Sequence, residues 1–452
     1  MAQRESWATR AGFILAAVGS AVGLGNIWRF PYQVGEYGGA AFLVVYLLLI
    51  LGIGFPVILV EFVVGRHTER NPVGALKRLG TGAWTKIGWV FVTAGFIILS
   101  YYSVVAGWTV RYVLLGLQGE YTATPEAAGQ QFGAVASGLD AVVFHAIFMV
   151  AVIAIVAFGI ERGIELSVKV MVPAIIALLI GLAVYAFTLE GAGEAYAYYL
   201  SPDFGTIASN WTSILPAAAA QAFFTLSLGM GVMITYASYL GEDRNLAEDA
   251  GIIAFLDTGI AFTAGLIAFP ILFTAGIPAG SSGPALIFVS LAAAFAELPF
   301  GGILGAIFFG VVSIAALSSA ISIMEVVTSY LIDEHGVDRV PATAMLGTAM
   351  FVVGVPAALD IIFIDVYDLF ANGVLLVLGG LLLSIFIGWV VPDLALDELG
   401  KGITNIGSLG VTWIWLLRIP VIIALIAVVA LNAWDYYGFL TGDFAAWLGE
   451  NL

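Results

Sequence analysis

Long apolar runs, each closed by a short polar stretch, organise this chain. They fall at roughly 11–34, 40–64, 87–116, 139–159, 166–189, 213–240, 250–277, 302–332, 341–358, 363–391 and 412–434. Most reach the ~20 residues that a helix needs to cross a bilayer, so the pattern predicts eleven membrane spans. Two of them are interrupted. Residues 19–31 read Gly-Ser-Ala-Val-Gly-Leu-Gly-Asn-Ile-Trp-Arg-Phe-Pro, and Thr225-Leu-Ser-Leu-Gly-Met-Gly231 breaks the sixth run. Inside a bilayer every backbone amide and carbonyl needs a partner, so unwound chain persists only where it is buried in protein or coordinates something. Matching interruptions in two halves of a chain point to a substrate and ion site near the midplane.

The expected fold is therefore all-α and integral to the membrane. It has two inverted five-helix repeats, 1–189 and 213–391, whose first helices are broken, and an eleventh helix at 412–434, all in one domain over 1–452. The stretch 278–300, rich in Pro, Gly and Ser before it turns apolar, predicts an external loop with a short helix that could act as a lid. Leu117–Ser137 is the other sizeable outside loop. The first run is no cleavable signal peptide, since its core exceeds the usual ~7–15 residues and contains Asn26 and Arg29.

Composition agrees: 61% of residues are hydrophobic and 10% charged, with mean hydropathy +1.05. Every basic residue except Arg29 and Arg111 falls at loops or helix ends on one side if the amino terminus is cytoplasmic, as the positive-inside rule asks. An odd number of spans then puts the carboxyl terminus, with Asp435, Asp443 and Glu450, outside. A net charge of −16 argues against nucleic-acid partners and fits a strongly hydrated surface such as salt adaptation favours. The absence of cysteine excludes thiolate catalysis, disulfides and Cys-based metal sites. His67, His145 and His335 show no ligand spacing and read as structural. No nucleophile–base or metal constellation marks a membrane enzyme, and no ring of repeated filter residues marks an ion channel.

Arg4-Glu-Ser-Trp-Ala-Thr-Arg10, the Gly19–Pro31 run, Gln221-Ala-Phe-Phe-Thr-Leu-Ser-Leu-Gly-Met-Gly231, Thr235-Tyr-Ala-Ser-Tyr239 and Leu317-Ser-Ser319 together resemble the neurotransmitter:sodium symporter family. The closer likeness is to its prokaryotic amino-acid branch, because the twelfth helix of larger members is missing. The resemblance implies a multi-pass protein of the cell membrane that imports a neutral, hydrophobic or aromatic L-amino acid with sodium by alternating access. An osmolyte or amine carrier of the same architecture is the nearest alternative, and an ion channel a more remote one. It also implies two sodium sites. The first comprises the Ala21 carbonyl, Asn26, Thr225 and Asp257, with the substrate carboxylate; the second comprises the Gly19, Val22 and Ala315 carbonyls with Ser318 and Ser319.

The implied substrate pocket takes in Ala21, Gly23, Gly25, Ile98, Tyr102, Phe224, Thr225, Ser227, Met230, Ser319 and Ile323. Amine carriers of the family place an aspartate at the position of Gly23, so glycine here implies a substrate that brings its own carboxylate, held at the end of a half-helix. Met230 stands where phenylalanine is frequent and leaves room for varied side chains. Arg29 and Asp368 resemble the pair that closes the outside path, with Tyr102 and Phe224 as the lid over the pocket. Arg4 and Asp333 resemble the inside pair, with Trp7, Ser238 and Tyr239 nearby. Glu61 and Glu325 read as satisfying buried polar groups. Gly163 and Pro173 have the spacing with which the family unwinds the inner end of the fifth helix to admit water. Chloride-dependent relatives have a neutral Asn at position 257 and a small hydroxyl residue at 261. Asp257 and Ala261 therefore imply that chloride is not required. The oligomeric state stays open.

Overall fold

A helix that is apolar on all faces belongs in a core or in lipid, and this chain uses both. The computed structural model describes residues 6–280, 285–403 and 407–451, which are helical with no strand among them. The helices used below are α1 (Arg10–Ala21), α2 (Gly25–Glu36), α3 (Ala40–Thr68), α4 (Gly82–Gln118), α5 (Leu139–Ala157) and α6 (Ile160–Phe187), followed by α7 (Phe204–Thr225) and α8 (Val232–Ala237). Then come α9 (Leu246–Thr274), α10 (Leu286–Glu297), α11 (Gly301–His335), α12 (Arg339–Leu359), α13 (Ile362–Val390), α14 (Pro392–Gly400) and α15 (Gly407–Asn451).

Among the described residues, nine helices are long and apolar enough to cross a bilayer, and α1 with α2, bent by 47°, makes a tenth. The sixth expected span is divided into α7 and α8 by the turn at 226–231. The chain is a multi-pass membrane protein. Its centre is α4 against α11, 78% and 72% buried over their most apolar windows, whereas α6 and α15 are 28% buried and form the rim.

Three boundaries differ from the expected ones. The fifth span starts at Ile160 rather than 166, because Gly159 (φ 86°) makes the reversal in one residue and Ile160–Glu165 form a π-helical turn. The loop expected over 117–137 contains a helix, Pro125–Ala136, started by Thr124 accepting from the Ala127 N–H (3.3 Å) and by proline in its first turn. The last helix runs on past 434, and Trp447 Nε1 donates to Asp360 (2.9 Å), tying the final turns back to the α12–α13 junction. The short helix expected within 278–300 is α10.

One end of the bundle is bound by ion pairs and is called the basic end below. Arg66 Nε donates to Glu398 (2.6 Å), which also takes His67 Nδ1 (3.1 Å) and Lys401 Nζ (2.9 Å). Arg10 bonds Asp249 (2.7 Å), Arg339 bonds Glu325 (2.6 Å) and Lys77 bonds Glu334 (2.6 Å). Burial alone would raise the Glu398 carboxyl, but hydrogen bonds from Lys401, Arg66 and His67 hold it below its ordinary value.

Candidate functional site

Helical hydrogen bonding lapses in the middle of the bundle twice, and each lapse uses the other to satisfy itself. Val22, extended at φ −76° and ψ 97°, ends α1. Between α7 and α8 the backbone turns through positive φ at Ser227, Gly229 and Gly231. Gly229 is obligatory, since a Cβ there would strike the Leu376 carbonyl. Ser227 Oγ donates to the Ser20 carbonyl (2.9 Å) and Gln221 Nε2 to the Gly25 carbonyl (2.9 Å), while the Gly229 N–H donates to Glu61 Oε1 (2.7 Å). Buried polar groups are thereby paired across the two breaks.

Around the first break, Asn26, Thr225 and Asp257 meet, all fully buried. Asn26 Nδ2 donates to Asp257 Oδ1 (2.7 Å), Thr225 Oγ1 donates to Asp257 Oδ2 (3.0 Å), and Asn26 Oδ1 accepts from the Gly23 N–H (3.2 Å). One carboxylate among neutral oxygens suits a monovalent hard cation. No group of three or more His, Cys, Asp or Glu suited to a metal is found among the described residues.

The second expected sodium set also converges. Ser318 Oγ contacts the Val22 (3.5 Å) and Ala315 (2.9 Å) carbonyls, and Ser319 Oγ those of Gly19 (3.4 Å), Ser20 (2.8 Å) and Val22 (3.3 Å). Two hydroxyls and four carbonyls thus cluster between α1 and α11, with no charged side chain among them.

Between these clusters lies a cavity of about 20 Å³. Every expected substrate residue except Thr225 lines it, together with Ser20 and Leu24. A Cβ on Gly23 would run into Ser319 Oγ and come within 2.8 Å of Tyr102 Oη, and one on Gly25 would press on Phe224. The Leu24 N–H points at Tyr102 Oη (3.3 Å), so the polar end of the pocket is backbone amide and hydroxyl. Leu24, Tyr102 and Phe224 also line a second cavity, of about 340 Å³, on the side away from the basic end. They form the partition between the two.

Arg29 and Asp368 both line that larger cavity, each with another partner: the Arg29 guanidinium lies 5.0 Å from the Phe224 ring centre, and Asp368 accepts from Tyr101 Oη (2.5 Å) and Asn372 Nδ2 (3.2 Å). At the basic end Trp7 Nε1 donates to the Tyr236 carbonyl (2.9 Å) and its ring meets Tyr236 and Tyr239 edge-on. Tyr239 Oη donates to Glu325 (2.8 Å), and Asp333 accepts from the Asn71 N–H and Nδ2, both at 3.1 Å. Arg4 lies outside the described residues.

This sequence matches the model of the sodium:neurotransmitter symporter family over residues 4–125 and 131–450. The chain belongs to that family. The symporter is 35% identical over 440 residues to the sodium-dependent transporter YhdH of Bacillus subtilis, covering 93% of this chain and 96% of the relative. It is 37% identical over 456 residues to a sodium-dependent transporter of Methanocaldococcus jannaschii, covering 95% and 91%. MhsT, solved in complex with L-phenylalanine, has the same fold, with TM-score 0.86, 41% identity and coverage of 95% of this chain and all of that one.

Several residues at the symporter's breaks were missed by sequence reasoning. Ser20 and Gln221 close the two breaks on each other, and Tyr101 and Asn372 hold Asp368. Gln221 carried a usable signal, a long polar side chain inside an apolar run. Tyr101 did not, because its neighbour Tyr102 occupies an adjacent but different helix face.

Proposed function

We propose that this symporter couples inward sodium movement to the uptake of a neutral, hydrophobic or aromatic L-amino acid. The observation that carries this reading is the composition of the small cavity. Its bulky walls are Leu24, Ile98, Phe224, Met230 and Ile323, its polar lining is unwound backbone with the hydroxyls of Tyr102, Ser20, Ser227 and Ser319, and no acidic side chain lines it. A monoamine would find no counter-charge there, whereas an amino acid brings a carboxylate that the break's amides suit and that can ligate sodium at Asn26, Thr225 and Asp257. MhsT, whose solved complex holds L-phenylalanine, supports the aromatic end of the range.

Coupling then needs no moving wire. A substrate whose carboxylate is a sodium ligand binds better with sodium present, and sodium binds better with substrate by the same factor. A cavity of about 20 Å³ has room for about one water, which needs ~10–15 Å³ on the same measure, so an amino acid enters only when Phe224 and Tyr102 swing aside. The larger cavity lies beyond these two side chains, and the opposite side is packed by Trp7. We read this as a carrier closed toward the basic end, which is the cytoplasmic one, and poised to admit substrate from outside. The inverted repeats, the two sodium sites and the independence from chloride belong to the same reading.

Competition against radiolabelled L-phenylalanine in sodium tests specificity. Leucine and tryptophan should displace it and Asp, Lys and a monoamine should not; better displacement by the monoamine or the dicarboxylic acid would contradict the assignment.

A further inference from the structure

The seam between α13 and α15 carries an arginine that neither the fold nor the transport site uses up. Arg418 stands in a π-helical turn of α15, Leu417–Val421, and is half-buried. Its Nε donates to the Gly388 carbonyl (2.6 Å) in the last turn of α13. Pro392, four residues on from Gly388, has no N–H to offer that carbonyl, so Arg418 fills the gap left by the proline. Gly388 makes room for the side chain, since a Cβ there would stand 3.4 Å from Arg418 Cγ. One nitrogen of the guanidinium is thereby spent, and both Nη groups remain.

The guanidinium carbon lies 5.1 Å from the Trp389 ring centre and 5.9 Å from that of Trp415, so an indole from each helix flanks it. Among the described residues no carboxylate pairs with Arg418, Asp393 and Asp397 of the following helix α14 included, and its Nη groups and the two indole N–H groups have no hydrogen-bond acceptor. An arginine that merely snorkels extends its head into water. This one is folded back against α13, its planar fork between rings that are 59% and 53% exposed. Guanidinium and indole donors with no acid among them suit a phosphate oxyanion, and indoles settle at headgroup depth. From Arg418 toward the middle of the span, Ile419, Ile423 and Ile426 are exposed along one face of α15, an apolar track for an acyl chain.

We propose that Arg418, Trp389 and Trp415 form a binding site for an anionic glycerophospholipid of the leaflet at the basic end. The Arg418 Nη groups hold the phosphate between the two indoles, and one acyl chain lies along Ile419, Ile423 and Ile426. Basic pockets between membrane helices suit such headgroups. A zwitterionic headgroup fits less well, because its ammonium finds no carboxylate beside Arg418. Free inorganic phosphate offers the same oxygens but gains nothing from the apolar track. The bound lipid ties α13 to α15 across Gly388. Since α13 also carries Asp368 and Asn372 of the larger cavity, the lipid steadies a helix that walls the outer path.

Native mass spectrometry of the whole chain, delipidated in detergent and titrated with dioleoyl phosphatidylglycerol, tests the site. The parent should hold one such lipid about tenfold more tightly than Arg418→Gln, which loses the charged donors while its amide can still reach the Gly388 carbonyl. Trp389→Leu and Trp415→Leu leave the arginine in place and should each weaken binding about threefold, so they decide the matter if Arg418→Gln is not monodisperse on gel filtration. Arg162→Gln, which removes an exposed basic side chain at the start of α6, should bind as the parent does. Phosphatidylcholine should bind more weakly than phosphatidylglycerol, and an excess of inorganic phosphate should not displace the lipid. Equal losses in Arg162→Gln and Arg418→Gln would show a diffuse attraction to basic residues and overturn the site. Parent-like affinity in Arg418→Gln, or in both tryptophan variants, would do the same. Displacement by inorganic phosphate would make the ligand a soluble oxyanion, and equal affinity for phosphatidylcholine would remove the selectivity for an anionic headgroup; either result overturns the lipid assignment.

Discussion

At the scale of single residues, the site works through what is missing as much as through what is present. Gly23 leaves the space between Ser319 Oγ and Tyr102 Oη clear. Gly23→Ala should therefore overpack that point at a cost of about 1–3 kcal/mol, and sodium-dependent phenylalanine binding should weaken about ten- to hundredfold by the same measure; a scintillation-proximity titration reads this directly. Asp257 makes a second prediction. Beside a sodium ion a fixed carboxylate balances charge that a mobile anion must otherwise supply. Replacing chloride by gluconate should leave uptake intact in the parent, whereas Asp257→Asn should cripple uptake or make it chloride-responsive. Most of this residue-level picture was legible from the small and polar residues in the broken runs and from their likeness to a known family. The partners of Arg29 and Asp368 were not: whether an arginine reaches an aspartate or lies on Phe224 depends on side-chain rotation, on which sequence is silent.

At the scale of elements, hydropathy located the spans because lipid tolerates little besides helices, and the breaks were visible because several glycines and polar residues crowd into one turn at matching places in the two halves. Boundaries near the water were harder to place. Glu161, Arg162 and Glu165 read as loop residues, yet helix α6 includes them, because Lys169 on the next turn and Ala8 and Thr9 at the start of α1 satisfy Glu165. Helix α14 is likewise fixed by contacts distant in sequence, Glu398 docking it to Arg66 and His67 of α3. The folded-state carboxyl titrates below its ordinary value of 4.5. Its contribution to stability is thus full above that value and fades as pH falls through the lower folded one. Thermal unfolding in detergent should show no loss from this cluster between about pH 7 and 5 and a loss below about pH 4. Glu398→Gln should cost about 3–5 kcal/mol at neutral pH, since it strands a buried Arg66. An equal melting temperature for parent and variant would show that α14 is held by other contacts.

At the scale of the whole molecule, two broken helices bring the two proposed sodium clusters and the small cavity to one depth, with a packed basic end below them and a larger cavity above. That arrangement has a use only if ion and substrate are bound together and moved together. Sequence reached this conclusion because both breaks lie within it, and relatives in a bacterium and an archaeon are sodium-dependent transporters. The most direct test is uptake of labelled L-phenylalanine into proteoliposomes under an inward sodium gradient. The account predicts accumulation above the external concentration, lost when the gradient is collapsed with a sodium ionophore or when potassium replaces sodium. Equal uptake with and without sodium, or equilibration without accumulation, would contradict it.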